Sequence, residues 1–213
     1  VFKRAMEANI GEVVVATGDK EIFNDVIKNG GKSILTTKDH NTGSDRIYEA
    51  FEKLNKKKVQ FIMNLQGDEP NIDIKDIQKL NNMMIENDFK IGTLASKISD
   101  EKVIYDKNVV KVTTKKVLSE RNFTKAINFF RYEKNNPKEN IYHHIGIYCY
   151  SVEALKKFVN FGQSNNEMNL RLEQLRALEN GLDINVTLAK TLPIGVDTEE
   201  DYIAIKKIME YKK

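Results

Sequence analysis

Cysteine is almost missing from this chain: Cys149 is the one thiol in 213 residues. That excludes a disulfide framework and fits a reducing compartment such as the cytoplasm. An excess of one charge is missing too. Lys and Arg total 34 against 31 Asp and Glu, a net charge of +3. So small a surplus gives no argument for nucleic-acid binding, where a basic patch is expected. No apolar run approaches the length of a membrane span. Proline is scarce at 3 and glycine modest at 11, against disordered or fibrous sequence. What remains is the mixture of a packed domain, 40% hydrophobic and 31% charged. The chain opens on Val1, and Val1 to Ala8 reads as the inside of a helix rather than a signal or transit peptide. A cut N-terminus is therefore expected. No linker composition or internal repeat divides residues 1–213, which read as a single domain.

Short apolar runs alternate with helical spacing. Glu12 to Thr17 is a β-branched run that ends in Gly18-Asp19, as a buried strand entering a turn does. Ile22, Phe23, Val26 and Ile27 recur at helical spacing until Gly30-Gly31 stops them. Ser33 to Thr36 is a strand, Ile47 to Leu54 a helix, Val59 to Leu65 a strand and Ile74 to Met84 a helix. Strands are then expected at Ile91–Ile98, Val109–Thr113, Ala126–Phe130 and Ile145–Tyr150. Helices follow at Val152–Asn160 and Leu170–Asn180, then a strand at Ile184–Lys190 and a last helix at Thr198–Tyr211. Arg131 to Tyr142, with Asn135-Asn136-Pro137, reads as an exposed loop. This order predicts an α/β fold: a mostly parallel mixed sheet with helices on both faces.

Ligands of such sheets bind at the carboxyl ends of strands. Three polar clusters fall there. Thr37 to Arg46 leads into a helix that Thr42 or Ser44 can cap, and a helix start with hydroxyls and an Arg suits a nucleotide. Alone, an ordinary capped helix explains it as well. Asn64-Leu65-Gln66-Gly67-Asp68-Glu69-Pro70 crowds Gln, Asp and Glu onto one strand tip, where Asp68 suits a hard cation beside a phosphate. Asp197 precedes the last helix, which Asp197 or Thr198 can cap; a cation role requires it close to Asp68. His143-His144 opens a buried strand, and alternation puts His144 and Tyr148 on one face. The charges of Leu170 to Arg176 fit a solvated helix face.

Val-Val-Val-Ala-Thr (13–17), Thr-Gly-Ser-Asp-Arg (42–46), Asn-Leu-Gln-Gly-Asp-Glu-Pro (64–70), His-Ile-Gly-Ile-Tyr (144–148), Leu-Glu-Gln-Leu-Arg (172–176) and Gly-Val-Asp-Thr (195–198) occur in that order. The set resembles the 3-deoxy-manno-octulosonate cytidylyltransferases, or CMP-Kdo synthetases. The resemblance implies a Rossmann-like nucleotidyltransferase fold. It also implies transfer of CMP from CTP to the sugar acid Kdo, with release of pyrophosphate, for lipopolysaccharide synthesis. It implies Mg²⁺ on Asp68 and Asp197, which would be the catalytic pair. Gly43, Ser44, Arg46 and Gln66 would meet the nucleotide. Arg131, His144, Tyr148, Glu173 and Gln174 would line the sugar pocket. A homodimer contacting through residues 103–150, a cytoplasmic location, no nucleic acid and no membrane complete what it implies. Other sugar acids, such as 8-amino-Kdo or an acylneuraminate, stay open, as does an inactive nucleotide-binding relative. The family's opening strand and Gly-Lys phosphate loop have no counterpart here, and Phe2 to Ala8 aligns with the helix after them. The expected result is a gap in the sheet, a missing triphosphate cradle and weak turnover.

Overall fold

The computed structural model describes residues 1–37, 39–132, 139–196 and 198–210. Helix α1 (Phe2–Ala8) ends at Asn9 in the left-handed conformation. Strand β1 (Val15–Thr17), helix α2 (Lys20–Lys28) and strand β2 (Ser33–Leu35) form a parallel βαβ unit. Asp19 caps α2, accepting from the Glu21 and Ile22 amides at 2.7 and 3.3 Å. Helix α3 (Gly43–Leu54) follows, with Thr42 as its cap, and then strand β3 (Phe61–Asn64). Helix α4 (Ile74–Asn87), strand β4 (Ile91–Lys97) and the short helix α5 (Lys102–Tyr105) come next. Strands β5 (Lys111–Thr114), β6 (Phe123–Phe130) and β7 (Ile141–Ser151) lead to helix α6 (Val152–Asn160). Helices α7 (Asn165–Leu170) and α8 (Gln174–Glu179), strand β8 (Ile184–Leu188) and helix α9 (Glu199–Glu210) complete the order.

The element order follows the expected one, with three differences. One turn of helix at α5 is too short to leave a periodic signal. The helix expected over Leu170–Asn180 is shorter, α8 alone, and a separate helix α7 precedes it, ending where Arg171 takes φ 53°. Strand β7 starts at Ile141, inside the segment expected to be loop; residues 133–138 of that segment lie outside the described residues.

The strands form a β1–β2 pair and a six-stranded sheet in the order β3-β7-β4-β8-β6-β5. The sheet is mixed, as expected. Strands β3, β4, β8 and β5 run one way, and β6 and β7 run against them. Because the reversed strands sit between the others, β4–β8 is the parallel neighbour pair within this sheet. Strand direction is thus mostly parallel, while neighbour pairing is mostly antiparallel. The cause is the insertion of β7 between β3 and β4, a tertiary choice that element order does not encode. Strand β1 pairs with β2 and β3 with β7, and among the described residues no ladder joins the two sheets.

Strand β7 is the spine. Its outer half, Tyr148–Ser151, pairs with β3, while Ile141–His143 pair with β5. Its alternation divides the core. Ile145, Ile147 and Cys149 pack with Ile77, Leu80 and Met84 of α4. Tyr148 and Tyr150 pack with Leu155 and Phe158 of α6 and Leu175 of α8. Among the described residues no helix is long and apolar enough to cross a membrane.

Helix α4 lies close on β4 because residue 92 is glycine. A Cβ there would meet the Met84 sulfur and come within 3.2 Å of Leu80 Cδ1. Gly92→Ala is expected to cost about 1–3 kcal/mol through overpacking. Gly162→Ala, which faces open space, should stay within about 0.5 kcal/mol of the parent. Urea denaturation of the two variants measures the difference, and equal stabilities would contradict the packing argument.

Candidate active site

Where β3 and β5 part along β7, a cleft of about 670 Å³ opens. Five polar parts of the chain line it. The strand-tip cluster supplies Gln66, Asp68 and Glu69, and the start of α3 supplies Asn41 and Thr42. Strand β7 supplies His144, Gly146 and Tyr148, and Arg131 follows β6. The α7–α8 segment supplies Glu167, Arg171, Glu173 and Gln174.

Seven of the residues expected at the site therefore share this cleft: Gln66, Asp68, Arg131, His144, Tyr148, Glu173 and Gln174. Gly43, Ser44 and Arg46 do not line it. Ser44 is fully buried, bonded through Oγ to Glu173 at 3.0 Å and to the Tyr150 hydroxyl at 3.1 Å. It joins α3 to α8 instead of facing the opening. Arg46 turns back to Thr36 Oγ1 at 2.6 Å and to the Thr37 carbonyl at 3.0 Å. Gly43 lies behind Gln66 and Asn64, whose side chains come within 3.3 and 3.4 Å of where its Cβ would stand. Asp197 lies outside the described residues. Its neighbour Val196 donates its amide to the Asp68 carbonyl at 2.8 Å, which ties that segment to the strand tip. Thr198 caps α9, accepting from the Asp201 amide at 3.2 Å.

The Gln66–Glu69 turn carries two different carboxyls. The Asp68 side chain is exposed, and its carboxylate makes no hydrogen bond or ion pair to a described residue. Glu69 turns inward. Its Oε1 accepts from the Gly146 amide at 3.2 Å, and its Oε2 is buried without a partner. Burial pushes its pKa up to about 7, against the pull of the Gly146 amide and with help from the Asp68 charge.

The β7 wall is a row of rings. Phe129 meets His144 edge-on at 5.0 Å, His144 meets Tyr148 at 5.4 Å, and Tyr148 stacks on Tyr150 at 5.7 Å. Burial drives the His144 pKa down to about 3, so its imidazole is neutral near pH 7. Its Nε2 lies 3.1 Å from Thr93 Oγ1, which in turn donates to the Ile147 carbonyl at 2.7 Å. The Tyr148 hydroxyl is buried and has no partner. Orphaned buried polar atoms such as this one and Glu69 Oε2 call for a partner that the described residues do not supply.

Arg131 is seated by Lys111. The buried Lys111 ammonium donates to the carbonyls of Asp106 at 2.6 Å, Val109 at 2.7 Å and Arg131 itself. The Arg131 guanidinium donates from Nε to the Leu170 carbonyl at 3.1 Å and from Nη1 to the Asn108 carbonyl at 3.0 Å. Its Nη2 makes no hydrogen bond to a described residue.

Sequence reasoning missed Arg176 and Glu167. Of the charges of residues 170–176, Arg171 is exposed, but Glu173 and Arg176 turn inward. Arg176 is 2% exposed and binds Glu167 through Nε at 2.9 Å and Nη2 at 2.5 Å, and Asp45 through Nη1 at 3.1 Å. Burial works against its charge, yet the two carboxylates outweigh that and hold it on. Ser164-x-x-Glu167 is a capping box, with both reciprocal bonds formed, and that signal was present in the sequence.

The chain is similar to known proteins over nearly its whole length. The Cytidylyltransferase family profile matches residues 1–184. A 3-deoxy-manno-octulosonate cytidylyltransferase of Rhizobium etli is 40% identical over 210 residues, 98% of this chain and 83% of its own. The enzyme of that name from Brucella ovis is 41% identical over 202 residues, 94% of this chain and 80% of its own. Among solved structures, CMP:2-keto-3-deoxy-manno-octonic acid synthetase complexed with CTP superposes with a TM-score of 0.85 at 30% identity. It covers 100% of this chain and 86% of its own. UDP-glucose pyrophosphorylase complexed with UDP-glucose, at 13% identity and TM-score 0.67, covers 100% of this chain and 85% of its own, and shares the fold alone.

The burial of His144 makes stability depend on pH. Its folded pKa lies below the unfolded value, so the unfolded chain binds the extra proton as pH falls from about 6.5 towards 3. The stabilisation is complete above that window and is lost down through it. His144→Gln keeps a polar partner for Thr93 without a titrating ring. Between pH 7 and pH 5 the parent should lose about 2 kcal/mol more than this variant. Urea titrations at the two pH values check it, and parallel losses would contradict a buried neutral His144.

Proposed function

The chain belongs to the cytidylyltransferase family, and we propose that it transfers CMP from CTP to 3-deoxy-D-manno-octulosonate, releasing pyrophosphate. The observation that carries this reading is the convergence of Gln66, Asp68, Arg131, His144, Tyr148, Glu173 and Gln174 on one cleft. Relatives about 40% identical over nearly the whole chain carry that name, which supports the same chemistry here.

The reaction is an in-line displacement at the α-phosphorus of CTP, with the anomeric hydroxyl of the sugar acid as nucleophile. Positioning and charge neutralisation dominate such a step. Gln66 and the start of α3 take the nucleotide side of the cleft. Arg131 answers the sugar carboxylate, where a planar guanidinium offers paired donors. The neutral His144 and the unpartnered Tyr148 hydroxyl offer hydrogen bonds to sugar hydroxyls. Glu173 and Gln174 close that side.

The residues present fit Mg²⁺. Asp68 is an exposed carboxylate with no partner among the described residues, and the segment leading to Asp197 is bonded to its carbonyl. One or two carboxylates, completed by phosphate oxygens and water, are the usual set for this ion. No cluster of three acidic, His or Cys residues able to hold a metal occurs among the described residues, so substrate must supply the other ligands. When bound, the ion supplies neutralisation of phosphate charge and acidification of a coordinated hydroxyl. Asp68 and Asp197 would hold it.

We assign the setting from the same reading: the cytoplasm, in supply of lipopolysaccharide synthesis. The chain acts as a homodimer meeting through residues 103–150, a region of sugar binding and dimer contact within one domain. Exposed Tyr105, Val117 and Ile127 on that region support the contact. Light scattering measures the mass, and a monomer at working concentration would count against it.

Asp68→Asn should lower kcat for CMP-Kdo formation by about 100-fold or more, the size of effect expected for a group that stabilises transition-state charge. Its thermal midpoint should match the parent. A pyrophosphate-release assay with CTP and Kdo, run beside N-acetylneuraminate, measures both the loss and the sugar preference. Undiminished turnover in the variant would sink the metal assignment, and faster turnover with N-acetylneuraminate would sink Kdo as substrate.

A further inference from the structure

Strand β7 is not regular where it passes the cleft. Thr93 of β4 pairs with Tyr148, yet the next residue, Leu94, pairs with Ile145. Gly146 and Ile147 are therefore extra on β7, a two-residue bulge. Bulges beside active sites re-aim side chains. This one shortens the distance between two cleft residues. His144 pairs with Ala95 and Tyr148 with Thr93. Four steps along a flat strand span about 13 Å, whereas two steps span about 7 Å. The bulge folds the longer span onto the shorter, and the two rings come to 5.4 Å. Because two residues are inserted rather than one, alternation is preserved and both rings still face the cleft.

Polar groups released from the ladder by a bulge need other partners. The carbonyls of Ile145 and Ile147 face Thr93 Oγ1 at 3.3 and 2.7 Å. The Gly146 amide points the other way, into the slot between the end of β3 and the start of β5. Glu69 meets it there at 3.2 Å. The Glu69 backbone is itself held, with its amide 3.4 Å from the Gln66 carbonyl and its carbonyl accepting from Ile72 at 3.5 Å. A fixed turn thus carries a side chain that reaches across to the bulge.

We propose that Glu69 is a positioning residue: its carboxyl clamps the Gly146–Ile147 bulge and so sets His144 beside Tyr148 for the sugar acid. The substrate readout rests on the CMP-transfer reading above, whereas the geometry does not. Glu69 acts through the bulge, so its effect falls on the sugar half of the cleft and not on CTP.

Two measurements on the full chain decide it. The first is the imidazole NMR signal of His144 in the unliganded protein, assigned with His144→Gln. Glu69→Ala should shift that signal. Glu69→Asp, whose shorter arm draws the oxygen away from Gly146, should do the same. Glu69→Gln keeps an acceptor of the same length and should bring the signal back. The second is the KM split. Glu69→Ala should raise the KM for Kdo about tenfold or more while the KM for CTP stays within about twofold, and Glu69→Gln should recover most of the loss. If the parent does not turn over Kdo but the His144 signal follows this pattern, the substrate reading fails and the clamp stands. If the signal is unmoved in Glu69→Ala and Glu69→Asp, or if Glu69→Gln is as damaged as Glu69→Ala, the clamp is overturned. Should Glu69→Ala fail to fold, Glu69→Asp against Glu69→Gln gives the same decision.

Discussion

A guanidinium with almost no access to water ties the α7–α8 segment to the start of α3, 131 residues away in the chain. Arg176 of α8 reaches Glu167 at the start of α7 and Asp45 at the start of α3, and it lies 4.6 Å over the ring of Phe158 on α6. Around it the same segments are laced again. Glu173 accepts from the Ser44 hydroxyl, which also meets Tyr150 on β7. The cleft has its α3 wall and its α7–α8 wall because this network holds them against β7. A buried charge of this kind tolerates no vacancy: removing the arginine strands two carboxylates and costs about 3–5 kcal/mol.

The opposite wall rests on β7 itself. That strand is shared by β3 along one half and β5 along the other, so the sheet divides beside it and leaves a slot. Ligands of α/β sheets collect where strands part in this way. The turn after β3 fills the slot with two carboxyls of opposite character. Asp68 stays in water and open to a cation, and Glu69 is taken inside against a backbone amide. One short turn thereby serves both the phosphate end and the sugar end of the proposed reaction. The ring row from Phe129 to Tyr150 gives the sugar end a wall with few polar groups, where each hydrogen bond counts for more.

Much of this was legible in the residues. Caps at Thr42 and Thr198 stand where short polar residues precede apolar spacing, because a helix start leaves amides that such side chains satisfy. The strand-tip cluster was legible because Gly-Asp after an apolar run favours a turn. Three features were not legible, each for a physical reason. The reversed insertion of β7 depends on which edges meet in space, and a strand reads the same in either direction. The bulge at Gly146–Ile147 is a mismatch of register between two strands, visible from neither alone. Ser44 and Arg46 sit in a motif that reads as a ligand wall, yet their side chains turn to Tyr150 and Glu173 and to the loop after β2. Hydroxyls and guanidinium groups bind protein as readily as ligand, so residue type did not separate the two uses.

Hydrogen exchange on Arg176→Met tests the dependence of the cleft on its buried guanidinium most directly, because it reads each wall separately and needs no substrate. Local opening is governed by the contacts that hold each segment. The amides of α7, α8 and the first turn of α3 should lose protection together, while those of β4 and β8 keep theirs. Unchanged protection across residues 164–180 and 43–46 would show that the walls stand without Arg176 and would contradict this account.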